Sequence, residues 1–296
     1  MRRGRLWLPG LGLLGLLLAQ CGMASSSVTT VPPERAAAEV ARSHPVFTPI
    51  ETDQATLYFL KIPTGYTVSV AAADSLQTVA DFAQETGAIA VINAGFFDPQ
   101  NAQTTSHIVI AGEAVADPAT NERLVGSPDL APYLDQILSR SEFRRYDCGG
   151  TPRYDIALHS APVPEGCAIA DSVGAGPQLL PRNTAYAEGF TDYADGALIR
   201  DAIGSESPNA RSAVGLTAAG EVVWVMAAQQ ADAPGLTLAE LAEAMAQQGI
   251  VKALNLDGGS STSLFFDGQV YYGRLDAEGR SVQRPVKSVL VLTAPE

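Results

Sequence analysis

The run Ile250-Val251-Lys252-Ala253-Leu254-Asn255-Leu256, followed at once by Asp257-Gly258-Gly259-Ser260-Ser261-Thr262-Ser263, reads as a short apolar strand ending in an acid, two glycines and a row of hydroxyls. Glycine lets a backbone approach its neighbour closely but loses much conformational entropy on folding, so two in succession need a reason. Ser260, Ser261 and Thr262 offer hydroxyls and backbone N–H groups that suit sugar hydroxyls or a phosphate. A tight turn in which Asp257 caps its own backbone is the competing reading. Upstream, Thr237 and Glu240 have capping-box spacing, Leu238, Leu241, Ala242 and Met245 form an apolar stripe, and Gly249 ends the predicted helix.

The same order of parts occurs earlier in the chain. Asp74 or Ser75 is the expected cap of a helix with Leu76, Val79, Ala80 and Ala83 on one face, and Gly87 stops it. A strand over Ala88 to Ile92 then ends in Asn93-Ala94-Gly95-Phe96-Phe97-Asp98. Strand ends gather ligand groups in open α/β sheets, so the loops after Ile92 and Leu256 are expected to share a cleft. Thr56 to Ile62 and Tyr66 to Ala72 read as a hairpin around Pro63-Thr64-Gly65, and Ser106 to Ala116 turns at Gly112. Further hairpins are expected around Ala219-Gly220, between Ser212–Thr217 and Glu221–Ala228, and around Asp267-Gly268. A helix is expected over Leu130 to Ser139 and a closing strand over Val286 to Thr293. The fold class expected is α+β: a single domain around a mixed β-sheet, with packed helices and several hairpins.

With 296 residues, 46% of them hydrophobic, the chain has ample material for one packed core. A net charge of −13 argues against nucleic acid or an anionic membrane surface as the main partner. Arg2, Arg3 and Arg5 before the apolar run Leu6 to Ala19 form an export signal too short for a comfortable membrane span. Leu18-Ala19-Gln20-Cys21 is similar to a bacterial lipobox, with Cys21 the lipidation site and a membrane anchor; cleavage after Ala24 is the alternative. The expected layout is a signal over residues 1–21, a Pro-, Ser- and Ala-rich linker over 22–50 and a folded domain over 51–296. Cys148 and Cys167 remain as an even pair in an exported chain, which predicts a disulfide closing a loop of about twenty residues. His44, His107 and His159 are scattered, and two cysteines without clustered histidines are too few for zinc.

Five segments in this order resemble the phosphodiester glycosidase domain family: Asn93-Ala94-Gly95-Phe96-Phe97, Gly174-Ala175-Gly176-Pro177-Gln178-Leu179, Arg211-Ser212-Ala213-Val214-Gly215, Asn255-Leu256-Asp257-Gly258-Gly259-Ser260-Ser261 and Arg284-Pro285-Val286-Lys287-Ser288. The resemblance runs from about residue 56 to 294. Ala94 stands where the family has Gly, Ser260 where a third Gly is common, and Ser212 where Thr is usual.

The resemblance implies a hydrolase acting on a saccharide-phosphate substrate, with no cofactor and with a divalent cation left open. Cleaving a sugar from its anomeric phosphate creates oxocarbenium character at C1, which a neighbouring carboxylate stabilises. Asp257 is the first candidate and Asp98 the second, with Asp201 and Glu206 behind them. Arg211 is the expected phosphate clamp and Arg284 the alternative. Asn93, Gly95, Phe96, Gly176, Gly258, Gly259, Ser260 and Ser261 are the expected substrate-binding positions, at least one of Phe96 and Phe97 belonging to the core. Thr104, Thr105 and Ser106 read as a loop cap or a cleft wall. Two other functions fit the same residues: a metal-dependent phosphodiesterase using Asp257 and Asp98, and a non-catalytic glycan-binding lipoprotein.

Overall fold

The structure, a computed structural model, describes residues 44–150 and 152–294. The export signal, Cys21 and most of the expected linker lie outside the described residues. The α+β class holds, but the single mixed sheet does not. Three antiparallel sheets and a two-stranded ribbon take its place.

The first sheet has the order β1 (Val46–Glu51), β2 (Thr56–Ile62), β14 (Val222–Ala228), β13 (Arg211–Thr217), β15 (Ile250–Asn255), β10 (Gln178–Leu180). The second has the order β17 (Gln269–Tyr272), β16 (Ser263–Phe266), β4 (Ala90–Asn93), β18 (Val286–Thr293), β3 (Thr67–Gln77). The third runs β6 (Glu113–Ala116), β5 (Ile108–Ile110), β9 (Ala168–Gly174), β7 (Ser141–Asp147), β8 (Pro152–Leu158), and β11 (Thr191–Ala194) pairs with β12 (Ala197–Asp201) as the ribbon.

Side-chain alternation dictates how these layers stack. Leu60, Val214, Trp224, Met226 and Leu254 on one face of the first sheet meet Val70, Ile92, Leu264 and Leu290 of the second. Phe59, Ala213, Val225 and Ala253 point the other way, onto Leu238, Leu241 and Met245 of helix Leu238–Gln247. Val91, Val289 and Val291 on the outer face of the second sheet pack on Val79, Phe82 and Ala83 of helix Val79–Thr86. The third sheet adds Ile108, Phe143, Ile156 and Val173 to the central core. β14 is buried along its whole length, which accounts for its unbroken apolar sequence.

The expected hairpin between β2 and β3 does not form. A strand has two edges, and those of β2 are taken by β1 and β14, so the Pro63–Gly65 turn carries the chain across to the second sheet, where β3 pairs with β18. The fold also begins earlier than residue 51, because Phe47 of β1 stacks among Tyr58, Phe266 and Tyr271 at centroid distances of 5.6, 5.1 and 5.2 Å. β3 continues through Leu76 to Gln77, which moves the first helix cap from Asp74 or Ser75 to Thr78, in a capping box with Asp81. Leu130 to Ser139 divides into a 3-10 turn at Ala131–Tyr133, which contains Pro132, and a single α-turn at Leu134–Leu138.

Other local expectations hold. The Thr237–Glu240 capping box, the β13–β14 and β16–β17 hairpins and strand β18 are all present. Cys148 and Cys167 form the disulfide, one step beyond the Asp147–Ala168 pair of the β7–β9 ladder. The bond closes the loop that holds β8. Replacing both cysteines by serine is expected to lower unfolding stability by about 3 kcal/mol through the added entropy of the unfolded chain, measured by urea denaturation.

Candidate active site

β4 and β15 belong to facing sheets, yet their ends meet. Asn93, the last residue of β4, is 0% exposed and its amide joins four segments. Nδ2 donates to the Asp257 carbonyl at 2.6 Å, while Oδ1 accepts from the Ser212 hydroxyl at 2.7 Å and from the Ser263 N–H at 3.1 Å. The Asp257 N–H donates to the Ala94 carbonyl at 2.8 Å, a second tie between the loops. Asn255 repeats the arrangement toward the Gly176-Pro177 segment, its Nδ2 donating to the Gly176 carbonyl at 2.8 Å. Asn93 is therefore a staple within the protein, its side chain turned to Asp257, Ser212 and Ser263.

Asp257 is partly buried, leaving a limited accessible surface. Desolvation pushes its carboxyl up to about 6, against opposing pulls from the Ser261 hydroxyl, the Arg284 guanidinium and the Gly258 N–H. Ser261 Oγ and Thr262 Oγ1 are buried and have no partner in hydrogen-bond geometry, although Ser261 stands close enough to favour the carboxylate form. Arg284 donates through one terminal nitrogen to the Ser260 hydroxyl at 2.8 Å and lies 4.8 Å above the centroid of Phe97, a buried member of the second-sheet core. Phe96 is half-buried and packs on Phe190 at 5.7 Å.

Arg274 enters the same neighbourhood without having been singled out in the sequence. Its guanidinium donates to Asn209 at 3.0 Å, and a Cβ placed on Gly259 would lie 3.9 Å from it. It follows the Tyr271-Tyr272-Gly273 run with no motif around it, so no local signal marks it. The resulting site is a half-buried aspartate with two guanidinium groups beside the Gly258–Ser261 turn.

Arg211, the expected phosphate clamp, has another task. It is 2% exposed, and its guanidinium donates to the carbonyls of Leu236, Ile203, Gly204 and Ser207. Its burial lowers its pKa to about 10, so it stays charged at neutral pH while holding the 203–207 loop. Asp98 is likewise engaged: one oxygen accepts from the Gln100 N–H at 2.8 Å and the other from Arg123 at 2.6 Å, making it the turn residue of the Phe97–Thr104 loop. These bonds hold its carboxyl below the usual range. Asp201 caps Ser205 and Glu206, and Glu206 accepts from Tyr193. Thr104 caps Ser106, its hydroxyl accepting from the Ser106 N–H at 3.0 Å.

The glycines meet protein where ligand contact was expected. A Cβ at Gly95 would lie 2.9 Å from the Gly174 carbonyl, at Gly176 2.6 Å from Glu188, and at Gly258 3.1 Å from the Ala210 carbonyl. Gly259, at φ 59°, supplies the left-handed residue of the turn. Among the described residues no group of three or more His, Cys, Asp or Glu side chains gathers as a metal-ligand set. A groove of about 840 Å³ lies at the other end of β15, lined by Tyr66, Tyr154, Val251 and Lys252, and contains none of the motif residues.

A family model for phosphodiester glycosidases matches residues 86–293. The chain belongs to this family. Comparison with curated proteins returns no match. Among solved structures, the catalytic domain of zebrafish N-acetylglucosamine-1-phosphodiester alpha-N-acetylglucosaminidase, auto-inhibited by its pro-peptide, is 16% identical with a TM-score of 0.60, over 85% of this chain and 82% of that one. A hypothetical protein from Synechocystis is 17% identical with a TM-score of 0.55 over 84% of this chain; the match spans 61% of that chain, less than two thirds of its length. A protein from Burkholderia pseudomallei K96243 is 16% identical with a TM-score of 0.56, over 80% and 74% of the two chains. At these identities the likeness shows a shared fold.

Two outcomes follow from the geometry. Asn93→Ala leaves the Ser212 hydroxyl and the Ser263 N–H buried without their acceptor and is expected to cost about 2–3 kcal/mol, read from the denaturation midpoint. Because the Asp257 carboxyl binds its proton more tightly in the folded chain than in the unfolded one, its contribution to stability is greatest below the unfolded pKa and declines as pH rises to about 6. The difference in unfolding free energy between wild type and Asp257→Asn is expected to carry this decline and to level off above that pH.

Proposed function

We propose that this protein is an exported glycoside hydrolase that cleaves the glycosidic C–O bond of a sugar-1-phosphate diester in an envelope or extracellular glycan. The observation that carries the reading is the half-buried Asp257 within the electrostatic reach of Arg284, on a turn within the span matched by the family model. The zebrafish relative's name specifies an N-acetylglucosamine-1-phosphodiester as what it acts on. Export rests on the Arg2-to-Ala19 signal, with Cys21 as the lipid attachment point.

In this mechanism the ionised Asp257 stands beside C1 and stabilises the positive charge that develops as the bond to the phosphate oxygen breaks. Arg284 and Arg274 hold the phosphate, whose negative charge grows as it departs. Phosphate is a good leaving group, so the site needs cationic complementarity more than a strong general acid. The stacking of Arg284 on Phe97 and its bond to Ser260 hold the guanidinium in place before substrate arrives, which lowers the ordering cost of binding. The two carboxylates that would support metal-assisted cleavage of the P–O bond do not act together in this reading, because Asp98 is bound to Arg123 and Gln100.

Hydrolysis of an N-acetylglucosamine-1-phosphodiester in oxygen-18 water is expected to place the label in the sugar; label in the phosphate would mean P–O cleavage and sink the proposal. Asp257→Asn is expected to lower kcat by about 100-fold or more, and Arg284→Ala to lower kcat/KM by a similar factor. In the wild type kcat/KM is expected to rise with pH through about 6, as Asp257 becomes ionised.

A further inference from the structure

Tyr186 and Tyr193 are 62% and 44% exposed and stand side by side as a pair of aromatic faces at the surface. Their rings lie 6.4 Å apart at 41° and line a groove of about 470 Å³ together with Asn183, Glu206 and Thr237. The groove's other surfaces are the small side chains of Ala185, Ala239, Thr191 and Ser205 and the Glu206 carboxylate. Both rings are carried by anchored segments. The Tyr193 hydroxyl donates to Glu206 at 2.9 Å, and the loop that carries Tyr186 is anchored by the buried carboxylate of Glu188, which accepts from the Ser141 N–H and the Ser141 hydroxyl, each at 2.8 Å.

We propose that this groove is a second saccharide-binding site, which takes a neutral pyranose unit of the glycan that bears the scissile phosphodiester. The inference rests on the glycan-phosphodiester reading above. Tilted aromatic faces offer apolar contact to the C–H face of a sugar ring, and the Glu206 carboxylate and Asn183 amide can bind the hydroxyls at its rim. Two features argue against a nucleotide or an anionic segment as occupant: the groove's charged lining residue is an acid, and the whole chain carries a charge of −13. The groove is also mechanically joined to the active site. Glu206 lies on the 203–207 loop, which Arg211 holds through the carbonyls of Ile203, Gly204 and Ser207, and Arg211 packs beside Gly258. Sequence reading placed Arg211 on the phosphate; its position instead makes it the brace between the two sites.

The test is binding without turnover. Maltotriose, chitotriose and mannotriose are titrated separately into the purified protein and followed by saturation-transfer NMR. At least one is expected to bind in the millimolar range, with Tyr186→Ala and Tyr193→Ala each weakening it by about tenfold and Tyr193→Phe by less than about threefold. Tyr186 is the more exposed of the two, so its variant tests the groove even if the Tyr193 variant unfolds. Absence of binding by all three sugars, or affinity unchanged in both alanine variants, overturns the proposal. The two readings fail separately: sugar binding that persists when hydrolysis proves independent of Asp257 supports the groove alone, and Asp257-dependent hydrolysis without trisaccharide binding supports the active site alone.

Discussion

The Asn93 side chain is the point on which the architecture turns. Two sheets that face each other across an apolar core have no reason of their own to bring particular strand ends into register, since hydrophobic burial is non-directional. One buried amide, donating to Asp257 and accepting from Ser212 and Ser263, supplies that direction. Removed from water, each of these bonds is costly to lose, so the pairing of β4 with the Asp257 turn is specified as well as stabilised.

Arg211 and Asp257 show how buried charge is handled on either side of that staple. Arg211 is surrounded by carbonyls and remains a cation inside the fold, where it organises the 203–207 loop. Asp257 is also disfavoured as an ion by burial: desolvation outweighs the help it receives from Ser261, Arg284 and Gly258, and its pKa rises. Burial disfavours both charges; the difference is that the Arg211 donors are taken up by four backbone carbonyls, whereas Asp257 stands next to a second guanidinium and gains from a positively charged centre brought beside it. Gly95, Gly176 and Gly258 let neighbouring segments close on one another where a Cβ would not fit.

The sequence marks the loops after β4 and β15, whose ends the fold brings together, but not which neighbours their side chains meet. Asn93, Arg211 and Asp98 have the chemistry of substrate-binding groups, and each is bonded to protein. Arg274 had no pattern to reveal it, because its proximity to Gly259 is created by the return of the chain after the β16–β17 hairpin. The β2–β3 hairpin was misread for a related reason: a Pro-Thr-Gly turn specifies a change of direction, and only the occupancy of both edges of β2 determines that the next strand joins another sheet.

By itself the sequence determined what depends on neighbours along the chain: the Thr237–Glu240 cap, the Asp267-Gly268 turn and the apolar runs of β4 and β15; the Cys148–Cys167 pair followed from there being two cysteines left to join. The tertiary structure alone decided which polar groups are already satisfied by protein and which remain available. A donor or acceptor carries the same chemistry in either state; its availability depends on what distant segments place within about 3 Å of it, and that distance exists only in the folded chain.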